Sequence, residues 1–145
     1  MRRAAALVVC LALLGAERSS RAEPTGTDAR LSCRREPGPG RVLCELEVEA
    51  PTGRLAWADA LVVRAPAFAR PLRARVGPKS ATGGTERRLR LPIALGATQN
   101  GKGELRVRAR WVRCRASAGK RELCEPGSRL VSARVEVGAI EHEDR

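Results

Sequence analysis

The chain has 145 residues, 43% of them hydrophobic and 30% charged, with 28 Lys+Arg against 16 Asp+Glu for a formal net charge of +12. That length and apolar content fit one small domain, too short for a multidomain enzyme and too rich in Val and Leu for a disordered chain. The only aromatics are Trp57, Phe68 and Trp111, which excludes a nucleic-acid reader that stacks bases on rings.

Residues 1–22 read as a signal peptide. Arg2 and Arg3 form a positive start, Ala4 to Ala16 an apolar run, and Ser20-Arg21-Ala22 a small-x-small cleavage site before Glu23. Thirteen apolar residues are too few to span a bilayer, which needs roughly 20. A cut after Ala16 is the alternative. Cys10, preceded by Val9 rather than a small residue, does not fit lipid attachment and leaves with the signal. Residues 1–22 carry four cations and one acid, so their removal lowers the net charge by three, to +9. The expected organisation is a flexible leader over 23–30, a folded domain over 31–138 and an acidic tail over 139–145.

Four cysteines remain, Cys33, Cys44, Cys114 and Cys124, an even number that reads as a disulfide framework in an exported chain. Of three possible connectivities, Cys33-Cys44 with Cys114-Cys124 is favoured, because each pair closes a hairpin-sized loop rich in turn residues. Ten and nine intervening residues do not match the short ligand spacing of structural zinc sites, and the only histidine, His142, stands in the acidic tail. No metal and no cofactor are expected.

From Arg41 to Ala50, apolar Val42, Cys44, Leu46 and Val48 alternate with Glu45, Glu47 and Glu49, the pattern of a half-buried strand. After the turn Pro51-Thr52-Gly53, Leu55, Trp57, Leu61 and Val63 predict a second extended region, broken near Asp59. Pro66 and Pro71 bracket a short segment around Phe68, confined to an edge or bulge. Val76 to Thr85 reads as loop. Alternation resumes from Arg87 to Leu95, and Asn100-Gly101-Lys102-Gly103 predicts the next turn. Val107, Ala109 and Trp111 then face inward and Arg106, Arg108 and Arg110 outward, with a bulge near Trp111. The last strand places Val131, Ala133, Val135 and Val137 inside. Trp57 and Trp111 are expected in the core. Six to eight strands with no helical stripe predict an all-β, antiparallel, immunoglobulin-like β-sandwich.

The segment from Glu104 to Val137 runs as a strand ending in Cys114, a short insertion, Cys124-Glu125-Pro126 and a last strand. In this it resembles the N-terminal periplasmic domain of the transmembrane thiol:disulfide interchange protein. That resemblance implies an immunoglobulin-like fold and a redox pair at Cys114 and Cys124. Arg113, Arg115, Lys120 and Arg121 would favour a thiolate there.

Other catalytic equipment is missing, since no serine has a histidine near it in sequence and no glycine-lysine-serine/threonine phosphate loop occurs. The basic excess is nearly all arginine, which suits bidentate contact with carboxylates and phosphates. Arg88, Arg90, Arg106, Arg108 and Arg110 are the anion-binding candidates, provided that Glu45, Glu47 and Glu49 do not pair with the arginines of the Leu105–Trp111 strand. The sequence therefore predicts a non-enzymatic binding module, periplasmic or extracellular. Its expected partner is an acidic protein or an anionic envelope polymer, with no specific nucleic acid and no transmembrane segment in the mature chain. The alternative is a thiol-disulfide exchange partner using Cys114 and Cys124.

Overall fold

The structure is a computed structural model and describes residues 26–119 and 121–139. The signal segment with Cys10, residues 23–25 of the leader, Lys120, and His142 with its acidic neighbours lie outside the described residues.

Among the described residues the chain forms nine strands and one 3-10 turn at Pro78–Ser80. The strands are β1 (Asp28–Cys33), β2 (Gly40–Glu49), β3 (Arg54–Arg64), β4 (Ala69–Pro71), β5 (Arg75–Val76), β6 (Gly83–Gly84), β7 (Arg88–Ala97), β8 (Gly101–Ala116) and β9 (Glu122–Val137). The count exceeds the expected six to eight because β4, β5 and β6 are two- or three-residue pieces in segments rich in Pro and Gly, where pairing breaks off quickly. Strand β1 starts at Asp28, inside the range 23–30 expected as a flexible leader.

All strand pairs are antiparallel, and they form two sheets. One has the order β1-β2-β7-β4, with β6 also pairing β7; the other has the order β5-β3-β8-β9. A single buried cluster draws on both. The first sheet supplies Val42, Leu46, Val48, Leu91, Ile93 and Leu95, and the second Ala58, Ala60, Leu105, Val107 and Val135. The alternation read for β2, β7 and β9 holds.

Strand β3 departs from its sequence reading. It runs unbroken through Asp59, and its register against β8 shifts between Leu55 and Trp57. The irregularity expected near Trp111 therefore lies on the facing strand, because the β8–β9 register is continuous from Gly101 to Ala116. The shift turns Ala58 and Ala60 into the core and leaves Trp57 half-buried outside it. Trp111 does join the core. The predicted turn at 100–103 also moves, since β7 ends at Ala97 and Gly101 and Gly103 already belong to β8. Their missing side chains make room for Phe68 and Pro66, which lie against them.

Gly127 pairs directly with Trp111, and a Cβ at 127 would run into the indole ring. Gly127→Ala is therefore expected to destabilise the fold by about 1–3 kcal/mol through overpacking. Urea denaturation would read this as a lower midpoint with an unchanged slope.

Candidate functional site

The five candidate arginines do not form one patch. Arg88 and Arg90 lie on β7 in the first sheet, and Arg106, Arg108 and Arg110 on β8 in the second. The glutamates of β2 meet the β7 arginines rather than those of β8, because β2 pairs with β7 in a register that sets Glu47 opposite Arg90 and Glu49 opposite Arg88. Arg88 bonds Glu49 at 3.0 Å and Arg90 bonds Glu47 at 3.0 Å, with Glu45 3.9 Å from Arg90. On β8, Arg106 pairs with Glu104 at 2.7 Å and Arg110 with Asp59. Among the described residues only Arg108 of the five has no ion-pair partner.

The Asp59 contact is the most built of these. Its side chain is 0% exposed although it points away from the core, because Arg110 and Arg75 close over it. Arg110 donates through Nε at 2.8 Å and through a second nitrogen, and Arg75 donates through Nε at 2.6 Å. Both guanidinium groups also sit over the Trp57 ring, at 5.7 and 6.0 Å from its centroid. Burial alone would raise the Asp59 carboxyl, but the hydrogen bonds and charges from Arg110 and Arg75 outweigh it and hold it below the ordinary aspartate value. Trp57 is thus the platform of an outward-facing ion cluster, and Asp59, read as a strand break, is that cluster's centre.

Unpaired cations gather elsewhere, on the outer face of the first sheet. In one row Arg41, Gly96 and Arg70 stand side by side on β2, β7 and β4. In the next, Leu43 pairs with Ala94, whose carbonyl accepts a 2.9 Å hydrogen bond from the Leu72 amide. A trough of about 430 Å³ is lined by Arg41, Leu43, Ala94, Leu72, Arg73 and Pro92 among others, and Gly96 and Arg70 stand beside it rather than in its lining. Leu43 is 39% and Leu72 54% exposed, and the two flank Ala94 on the same face. Arg41, Arg70 and Arg73 have no acidic partner among the described residues. Sequence reasoning missed this surface because Arg70, Leu72 and Arg73 occupy a segment with no alternation, and only tertiary pairing brings them to β7.

Both local disulfides form, each between residues directly opposite across a strand pair. Cys33-Cys44 faces the core, where Cys44 is buried. Cys114-Cys124 lies on the opposite side of its sheet. There Cys114 is only 1% exposed, because the Pro51-Thr52-Gly53 turn, with Gly53 at φ 76°, packs against its backbone. Cys124 is exposed. Glu122 is close to both sulfurs, and the Arg54 guanidinium, hydrogen-bonded to it at 2.6 and 2.7 Å, lowers the Glu122 carboxyl from its ordinary value. Arg113 and Arg115 are held by Glu125.

Comparison with known protein families, curated proteins and solved structures finds no match. No helix among the described residues is long and apolar enough to cross a membrane.

Because the folded Asp59 carboxyl lies below its unfolded value near 3.9, its contribution is fully present above that value and is lost as pH falls through the folded one. Asp59→Asn should cost about 2–3 kcal/mol at pH 7, since it leaves two guanidinium groups without their anion. The variant should also lose less stability than the parent between pH 5 and 2. Urea melts across that range would measure both effects.

Proposed function

We propose that this chain is a small exported module of the immunoglobulin-like β-sandwich type that binds an acidic macromolecule through the trough on β7, without catalysing a reaction. Two sheets around one core support the sandwich reading. With the short strands set aside, β1-β2-β7 and β3-β8-β9 follow the A-B-E and C-F-G orders of immunoglobulin domains. The disulfides lie within sheets instead of bridging them. Export is supported by the two disulfides together with the signal-like N-terminus, since such bonds persist in oxidising compartments.

One observation carries the binding reading. Ion pairs neutralise the arginines over much of the surface, whereas Arg41, Arg70 and Arg73 stand without acids around exposed leucines. Unpaired guanidinium groups beside a concave apolar strip favour a carboxylate, sulfate or phosphate group that brings some apolar surface with it.

Retention on a dextran sulfate column tests it. The triple variant Arg41→Ala/Arg70→Ala/Arg73→Ala should elute at clearly lower salt than the parent. Arg64→Ala/Arg108→Ala/Arg121→Ala, which removes equal charge from unpaired arginines elsewhere, should elute between them. Equal elution of the two variants would leave only a general basic surface, and the reading would fail.

A second reading, thiol-disulfide exchange, is favoured by the contrast between exposed Cys124 and buried Cys114 and by the resemblance of the C-terminal third to the interchange-protein domain. An incoming protein thiolate would attack the Cys124 sulfur, forming a mixed disulfide and releasing Cys114 as the thiolate. The binding reading expects the bridge to survive thiol trapping in redox buffers down to about −300 mV in the folded protein. A midpoint well above that value would favour exchange instead.

A further inference from the structure

We propose that the trough takes an extended acidic peptide in which an aspartate or glutamate stands two positions from an apolar residue. This rests on the binding reading above and names its ligand.

The two rows of the trough differ in chemistry. The Arg41–Gly96–Arg70 row, beside the trough, offers two guanidinium groups across Gly96, against which the Leu72 side chain leans from the next row, so a carboxylate entering above that leucine can accept hydrogen bonds from both walls. The Leu43–Ala94–Leu72 row, two residues further along β7, offers two exposed leucines across a methyl group. Two residues of strand span about 6.6–6.8 Å, which is also the distance between alternate side chains of an extended ligand. A peptide lying along β7 thus places an acid in one row and an apolar side chain in the next.

The third row fixes the direction. Pro92 forms its floor and Glu45 its β2 wall, so a second acid there would meet a carboxylate. The charge belongs at the Gly96 end alone. A sulfated or phosphorylated polymer would satisfy the arginines and leave the leucines uncovered. An acyl chain would have to continue past Pro92 beside Glu45. The alternating spacing favours a peptide over both.

The test is an NMR titration of the ¹⁵N-labelled chain with the synthetic peptide Ser-Leu-Ser-Glu-Ser-Ser and its Glu→Gln and Leu→Ser analogues. The Ala94 and Gly96 amides should shift on binding. The Gln analogue should bind about ten-fold more weakly and the Ser analogue about three-fold. Gly96→Val, which puts a β-branched side chain on the floor, should weaken the parent peptide about ten-fold. Leu72→Ser changes a residue already half exposed, so it keeps the fold intact and should weaken the peptide about three-fold. Analogues that bind as tightly as the parent would overturn the proposal. So would arginine-dependent binding of dextran sulfate or of phosphatidylglycerol vesicles without any response to the peptide, although the anion-binding surface would then stand. If the Arg41/Arg70/Arg73 triple variant changes nothing, the surface itself is wrong.

Discussion

The pairing of β2 with β7 is the constraint on which the rest of the molecule depends. Its register sets Val42 beside Leu95, Cys44 beside Ile93, Leu46 beside Leu91 and Val48 beside Leu89 on the core side. The same register sets Glu49 against Arg88, Glu47 against Arg90, Leu43 against Ala94 and Arg41 against Gly96 on the other side. A slip of one residue would expose the whole apolar row, so the core locks the arrangement of the outer charges. Exposed ion pairs are worth only about 0–1 kcal/mol each, so hydrophobic burial rather than charge selects this register. The neutralised half of the outer face and the cationic trough are both by-products of how the core packs.

The second sheet solves a different problem. A chain with so few aromatics has little bulk for a core, and β3 contributes mainly alanines to it at Ala58 and Ala60. Those small residues fill the core face of β3 opposite the other sheet, while its larger side chains, Trp57 and Asp59, lie on the outside. There the indole and two arginines shield a carboxylate from water without help from the other sheet. Disulfides add to this modest core by constraining the unfolded chain, by about 2–4 kcal/mol each in the loop-entropy picture. They do so from different positions, Cys33-Cys44 within the apolar cluster and Cys114-Cys124 outside it, two pairs from the turn of the hairpin between β8 and β9.

Legibility in the sequence follows the same physics. Strands β2, β7 and β9 could be read because each has one face in the core and one in water, which writes a period of two into the residues. The disulfide pairing could be read because both loops are local. Strand β3 could be read only as an interrupted extended region, since its register shift reverses the parity midway and its buried acid looks like a break. The trough was illegible for a further reason. Arg70 and Leu72 sit between prolines in a stretch with no repeating pattern, and their role exists only once β4 lies against Gly96. Arginines prominent in sequence, such as Arg88 and Arg90, are those that alternate with apolar residues on a strand, and such positions are also where a neighbouring strand can supply glutamates.

Net charge by itself therefore carries little functional information here. Of the arginines on the two central outer faces, Arg88, Arg90, Arg106 and Arg110 meet acids on their own or a neighbouring strand, whereas Arg108 meets none among the described residues. Besides Arg108, unpaired cations stand on irregular or edge segments, where no strand supplies an acid opposite. Arg70 and Arg73 belong to this class, and Arg41 joins them because its neighbour on β7 is Gly96 rather than an acid. A ligand approaching the protein meets a local field concentrated over a concave strip with apolar walls, where desolvation strengthens each contact. On the proposed binding reading, selectivity would arise from the combination of charge and shape in two adjacent rows, which a uniformly basic surface of the same net charge could not provide.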